Sequence, residues 1–216
     1  LVDKNPDYFA TYQRPELGDF LYADANHDGN LDANDRIEIG NGDSPAFTFG
    51  SNIGISWKGF DFSIFMQGIG KRDLWLDGCY FWGANGQGNE WQSTGFAEHW
   101  DFFRPEGDPL GANLNSYYPR VNFSGDRNTK VQTRYLQNGA YLRLKNVQLG
   151  YTLPRVWTEK AGISSVRVYV SGDNLATITS LSKIFDPEAT GSLAGTGSGK
   201  LYPLQRVISV GVNVNF

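Results

Sequence analysis

Asp24, Asn26, Asp28, Gly29, Asn30, Asp32 and Asp35 fall at positions 1, 3, 5, 6, 7, 9 and 12 of a twelve-residue loop, the spacing at which oxygen donors converge on one calcium ion. Carboxylates and amides at alternate positions supply hard oxygen ligands, and Gly29 permits the sharp turn. Asn30 would offer its backbone carbonyl, and Leu31 would anchor the loop to a core. The expected metal ligands are therefore Asp24, Asn26, Asp28, Asn30, Asp32 and Asp35, with calcium in a structural role. Asp35 stands where the strongest sites carry Glu, and its shorter side chain reaches less far as a bidentate ligand. No helical pattern flanks the loop, so it reads as an isolated site of the extracellular kind. The competing reading is a loop closed by its own Asx turns without metal.

Other residues that could do chemistry lack the partners chemistry needs. His27 lies at a non-ligand position of the acidic loop and His99 sits in EHWDFF, neither with the spacing of a zinc site or a triad. Glu98 with Asp101, and Asp186 with Glu188, are carboxylate pairs of the kind glycosidases use, but closeness in sequence is common and fixes no separation. Cys79, the only cysteine, excludes an internal disulfide and a thiolate cluster. The Gly-rich stretch 191–200 lacks the phosphate-loop spacing. An enzyme is not expected. Between 71 and 139 the chain carries Trp75, Tyr80, Phe81, Trp82, Trp91, Trp100, Phe102, Phe103, Tyr117 and Tyr118 among Gly and Asn. Trp82, Trp91, Trp100 and Tyr117 are candidates for stacking on a sugar or docking a partner. Packing of a long loop onto itself would use the same rings.

The elements that must position these loops show period-two alternation. The stretch 47–57 puts Phe47, Phe49, Ile53, Ile55 and Trp57 on one face and Thr48, Gly50, Asn52, Gly54 and Ser56 on the other. Only Lys58 and Gly59 separate it from Phe60, Phe62, Ile64 and Met66, so the two segments form a tight hairpin. A third strand begins with Leu142 and Leu144 in one phase and ends with Val147, Leu149, Tyr151 and Leu153 in the other. The slip at Lys145 and Asn146 predicts a bulge. Pro154 stops that strand, and 155–162 reads as a helical turn closed by Gly162. Val166, Val168 and Val170 alternate with Arg167, Tyr169 and Ser171 in a fourth strand. In the fifth, Ile208, Val210, Val212, Val214 and Phe216 oppose Ser209, Gly211, Asn213 and Asn215.

About ten residues is the length at which a tilted strand crosses a bilayer. The connections are unequal, two residues after Trp57 and about ten after Leu153, against the long polar stretches 71–139 and 176–205. Short turns at one end and long loops at the other are how an outer-membrane barrel is built, and Trp57, Phe60, Tyr151 and Phe216 would share its short-turn aromatic girdle. A β-sandwich with one buried face per sheet gives the same alternation. A net charge of −4 and a pI near 5.2 provide no basic stripe to replace phosphate counterions, which excludes nucleic acid. With 40% hydrophobic and 14% aromatic residues, disorder is excluded too.

The order of these segments resembles the C-terminal part of the SusC-like (SusC/RagA) family of TonB-dependent outer-membrane transporters. The resemblance is carried by GDFLYADANHDGNLDANDRIEIGN (18–41), FTFGSNIGISWKGFDFSIFMQG (47–68), YLRLKNVQLGYTLP (141–154), RVYVSGDNLATIT (167–179), FDPE (185–188) and the closing strand. It implies an all-β chain holding about five strands of a 22-stranded transmembrane antiparallel barrel in the outer membrane of a Gram-negative bacterium. The remaining strands and plug would lie elsewhere in the transporter. It implies TonB acting through the missing N-terminal part, contact with outer-membrane lipid, and a SusD-like lipoprotein that hands over glycans or peptides. Phe216 would be the signal read in barrel assembly. The expected division is an extracellular segment 1–46 with the calcium-type loop 24–35, a hairpin 47–70, an extracellular loop 71–139, and three strands within 140–216. Those three strands are joined by a periplasmic turn 154–164 and an extracellular loop 176–205. Such a chain would be either a fragment of a longer importer, the favoured expectation, or a separate piece sitting beside the rest of it. The alternative is a secreted, calcium-stabilised β-sandwich that binds carbohydrate.

Overall fold

A computed structural model describes residues 15–86, 95–123, 127–190 and 201–216. One five-stranded antiparallel sheet dominates, in the order β1-β2-β5-β6-β7. Its strands are β1 (Phe47–Trp57), β2 (Phe60–Gly70), β5 (Tyr141–Thr152), β6 (Ser165–Thr179) and β7 (Val207–Asn215). β3 (Asp73–Trp75) and β4 (Leu136–Asn138) pair as a separate two-stranded ribbon at the base of the long loop.

The hairpin forms where alternation places it. Lys58 and Gly59 both take left-handed φ values, 49° and 90°, the type I′ combination whose twist matches the strands it joins. The expected bulge is also present. Asn146 pairs with Phe65 and Asp173, Leu144 pairs with Met66 and Ala176, and Lys145 is skipped between them. After Pro154, α2 (Arg155–Thr158) and a 3-10 turn (Glu159–Ala161) end at Gly162 with φ 71°. α1 (Cys79–Trp82) is a single turn inside the long loop.

One boundary differs from expectation. β6 continues through Thr179, so Ala176–Thr179 is paired strand rather than the start of a loop. The β-branched residues Thr177, Ile178 and Thr179 fit a strand well enough to carry pairing past the bulge. The long loop 71–139 contains the paired β3 and β4 and several short helical turns.

The sheet has no second sheet against its apolar side among the described residues. Its register lines apolar residues into rows across all five strands: Ile55, Phe62, Leu149, Val170 and Val210 in one, Trp57, Phe60, Tyr151, Val168 and Val212 in the next. In the first row Ile55 is 62% exposed and Val210 77%. A sandwich would bury such rows, so the sandwich reading is overturned.

The buried core lies instead in the loops. Leu74, Leu76, Phe81, Tyr118, Tyr135, Leu181 and Phe185 form one cluster at the long-loop end, with Phe81 and Tyr135 fully buried. The segment before β1 is stitched onto it: Phe20 N–H donates to Asn128 Oδ1 at 3.0 Å, and Arg120 pairs with Asp19 at 2.8 Å. No helix among the described residues is long and apolar enough to cross a membrane, which says nothing about strands.

Candidate functional site

The polar face of the sheet opposes the apolar rows. One of its rows runs Ser56, Asp61, Gly150, Tyr169 and Gly211, and the next Gly54, Ser63, Gln148, Ser171 and Ser209. Across that face Arg167 on β6 reaches over β5 to Asp61 on β2. Its Nε lies 2.9 Å from Asp61 Oδ1, and Nη2 also bonds the second carboxylate oxygen. The fork crosses directly above Gly150, where a Cβ would come within 2.6 Å of Asp61 Oδ1 and also meet the guanidinium. Arg167 also lies over the Tyr169 ring, 5.0 Å from its centroid.

Nearer the long loops the same face carries a denser charge cluster. Arg143 Nη2 contacts Asp186 Oδ1 at 2.7 Å, Arg143 Nε donates to Thr177 Oγ1 at 2.8 Å, and Lys145 Nζ meets Glu188 Oε2 at 2.7 Å. The Arg143 side chain is only 4% exposed. Asp186 further accepts from the backbone N–H groups of Glu188 and Leu204. Burial alone would raise its pKa, but the hydrogen bonds from Arg143 and the two amides, with the Arg143 charge, hold it below the usual carboxylate range. The FDPE segment is thereby fastened to β5. The pair Asp186 and Glu188, drawn from sequence as conceivable acids, is committed to cations.

Glu98 is equally committed. Its carboxylate accepts from Ser182 Oγ at 2.5 Å and from Lys183 N–H at 2.6 Å, tying the loop after β6 to the long loop. His99 accepts from Phe96 N–H through Nδ1 and bonds the Phe81 carbonyl through Nε2, at 3.0 and 3.1 Å, as a packing residue.

The four candidate contact aromatics part company. Tyr117 is held on both sides of its hydroxyl, donating to the Arg134 carbonyl at 2.8 Å and accepting from Gln137 Nε2 at 2.7 Å, and burial pushes its pKa up to about 12. Trp82 packs against the loop core. Trp100 stays 63% exposed, with the Arg104 guanidinium 5.8 Å from its ring centroid. Trp91 lies outside the described residues.

In the acidic loop, Asp24 accepts from Asp28 and Gly29 N–H, Asn26 from Asp28 N–H and Asp28 from Asn30 N–H, at 2.7–3.2 Å. Asp35 closes the loop by accepting from Ala25 and Asp32 N–H at 2.9 and 2.7 Å. Hydrogen bonds from these backbone groups, led by Asp32, lower the Asp35 pKa. Leu31 is buried as anticipated. The donor chemistry, all oxygen on a loop whose Gly29 has φ 87°, suits a hard cation. Among the described residues, however, no three or more His, Cys, Asp or Glu side chains converge as a metal-binding group. The carboxylates are turned to the loop's own amides. Beside the loop an open cleft of about 1240 Å³ is lined by Leu21, Leu31, Ile37, Ile39, Val131 and Arg134, among others.

A polar-faced, apolar-backed sheet with loops massed at one end is the arrangement of a barrel wall, and related proteins share it. TonB-dependent receptor P3 of Formosa agariphila is 32% identical over 209 residues, covering 92% of this chain and 19% of the receptor. TonB-dependent receptor P26 of the same organism is 30% identical over 210 residues, covering 93% of this chain and 20% of the receptor. The solved RagAB peptide importer in its closed-closed state superposes with a TM-score of 0.61 at 27% identity, over 88% of this chain and 20% of that one. The chain is a relative of the SusC-like TonB-dependent outer-membrane transporters. No family model matches it. It spans about a fifth of the length of the curated relatives it matches. Its strands are accordingly strands of an outer-membrane β-barrel that is not closed within this chain.

The cross-strand pair and the Arg143 cluster escaped the sequence reading because their members lie 106 and 43 residues apart. The available signal was charge at strand positions: Asp61, Arg143 and Arg167 all fall in the polar phase of their strands.

Proposed function

We propose that this chain is barrel wall in a TonB-dependent importer that takes up glycans or peptides with a SusD-like surface lipoprotein. The observation that carries this reading is the five-strand sheet itself, whose uncovered apolar rows have a polar, ion-paired reverse face. Such a sheet needs lipid on one side and an aqueous lumen on the other. The relatives are named receptors and peptide importers, which supports import over catalysis. The ordered loop assembly, with exposed Trp100 and the mixed apolar and charged cleft beside the acidic loop, would meet substrate or lipoprotein. Trp82 and Trp91 are retained as weaker contact candidates.

TonB would act on the transporter through parts outside this chain, and Phe216 would serve in barrel assembly. Calcium would bind at Asp24, Asn26, Asp28, Asn30, Asp32 and Asp35 by drawing side chains away from loop amides, giving structural rigidity rather than chemistry.

The test is purification of the intact protein in mild detergent from its native outer membrane, combined with growth of a deletion strain on defined peptides or oligosaccharides. Co-purification of a surface lipoprotein and loss of growth on one of these nutrient classes are expected. A barrel recovered alone, whose deletion leaves uptake of both classes intact, would refute the proposal.

A further inference from the structure

The short-turn end of the sheet carries a second apolar feature that the barrel architecture does not itself require. Thr152 N–H donates to the Gly59 carbonyl at 2.8 Å, so the Lys58–Gly59 turn and the start of the β5–β6 connection share one rim. Ser164 N–H donates to the Asn215 carbonyl at 2.8 Å and brings the end of β7 to the same rim. Beginning three residues past Thr152, α2 places Val156 and Trp157 in the open, 69% and 67% exposed. Thr158 beside them is buried, so the turn is seated on the sheet while its two apolar residues are left uncovered. Trp57, 66% exposed, ends β1 with β2 between it and β5, and Phe216, 91% exposed, follows the end of β7 beside β6.

Cations accompany these rings. The Lys58 ammonium lies 5.0 Å from the Trp57 ring centroid, and Arg155 and Lys160 are exposed on the turn itself. Glu159 offsets one of them through its 2.6 Å contact with Arg155. Exposed indole beside ammonium and guanidinium, continuous with a lipid-facing row that ends in Trp57, Phe60 and Tyr151, matches the boundary where hydrocarbon gives way to phosphate headgroups.

We propose that α2 is an interfacial anchor. Val156 and Trp157 lie in the headgroup layer of the bilayer leaflet at the short-turn end, with Lys58, Arg155 and Lys160 on lipid phosphates. The turn thereby fixes the depth of the barrel wall in the membrane.

The test uses the intact transporter in phospholipid nanodiscs, with native cysteines replaced and one nitroxide label at a time. Trp157→Cys and Val156→Cys probe the anchor, Val210→Cys on the mid-sheet apolar row is the lipid reference, and half-exposed Asp108→Cys in the long loop is the water reference. Collision with oxygen, which enters the bilayer, is compared with collision with a nickel chelate, which stays in water. Labels at 156 and 157 are expected to give oxygen-to-nickel ratios several-fold above Asp108→Cys and below Val210→Cys. Ratios at both positions equal to Asp108→Cys, with Val210→Cys still lipid-like, would overturn the anchor while leaving the barrel intact. A water-like Val210→Cys would instead overturn the barrel reading, and the anchor with it.

Discussion

Gly150 has no room for a side chain, because the Arg167–Asp61 fork crosses directly over its Cα. Gly150→Ala would push guanidinium and carboxylate apart or displace β5, an overpacking cost of about 1–3 kcal/mol. A lowered temperature for loss of heat-modifiable gel mobility in the intact barrel is the expected readout, and an unchanged one would show that the fork yields freely. Arg143 is a second single-residue hinge of stability. Removing it as Arg143→Ala takes from half-buried Asp186 its only cation among the described residues and leaves it backbone amides alone, at about 3–5 kcal/mol for breaking a buried pair. Increased protease nicking near FDPE would report it. Asp186 also sets a pH dependence. Its folded pKa lies below its unfolded value of about 3.9, so its stabilising contribution is fully present above that value. It disappears as pH falls through the folded pKa. The loop end is expected to hold its melting temperature from pH 7 to pH 5 as far as Asp186 is concerned and to lose it below about pH 4. Asp186→Asn should blunt that acid step. In the acidic loop, calcium at about a hundredfold excess over its Kd would add about 2.7 kcal/mol. Calorimetry of the intact protein with calcium or chelator, wild type against Asp24→Asn with Asp28→Asn, checks whether the increment exists and depends on those carboxylates.

At the scale of strands, the two faces make opposite demands on neighbouring residues. Val210→Arg puts a charge on the lipid row, at about 2–4 kcal/mol near the bilayer midplane, whereas Ser209→Arg one residue away points to the polar side and costs little. Ser209 is the cleaner control because Asn213 stands opposite Arg167, where a second guanidinium would meet like charge. Equal loss of folded protein from both substitutions, in a detergent refolding titration, would contradict the face assignment. These faces were legible in the sequence because period two is a local signal, as were the type I′ hairpin at Lys58–Gly59 and the bulge at Lys145. The extent of β6 beyond Leu175 was not. The bulge interrupts the alternation there, and only pairing with Tyr141–Leu144 shows that the strand resumes. The loop core was half legible: aromatic content marked 71–139, but nothing local distinguishes buried Phe81 from exposed Trp100. That difference depends on where Leu181 and Phe185, about a hundred residues downstream of Phe81, come to rest.

For the whole molecule, five strands with unpaired edges at β1 and β7 cannot close a barrel, so what this sheet does depends on the strands that flank it. Its own contribution is a stretch of wall whose apolar face is defined by rows such as Ile55, Phe62, Leu149, Val170 and Val210. At the long-loop end of that wall sits a loop assembly held to it by the Arg143 cluster and tied together by Glu98. The measurement that bears most directly on this account is fractionation of the native cells, with mass determination of the polypeptide carrying this sequence. The account predicts an outer-membrane protein with heat-modifiable mobility, about five times this chain's length, as its 19–20% coverage of its relatives implies. A soluble, monodisperse species of 24.0 kDa would contradict it.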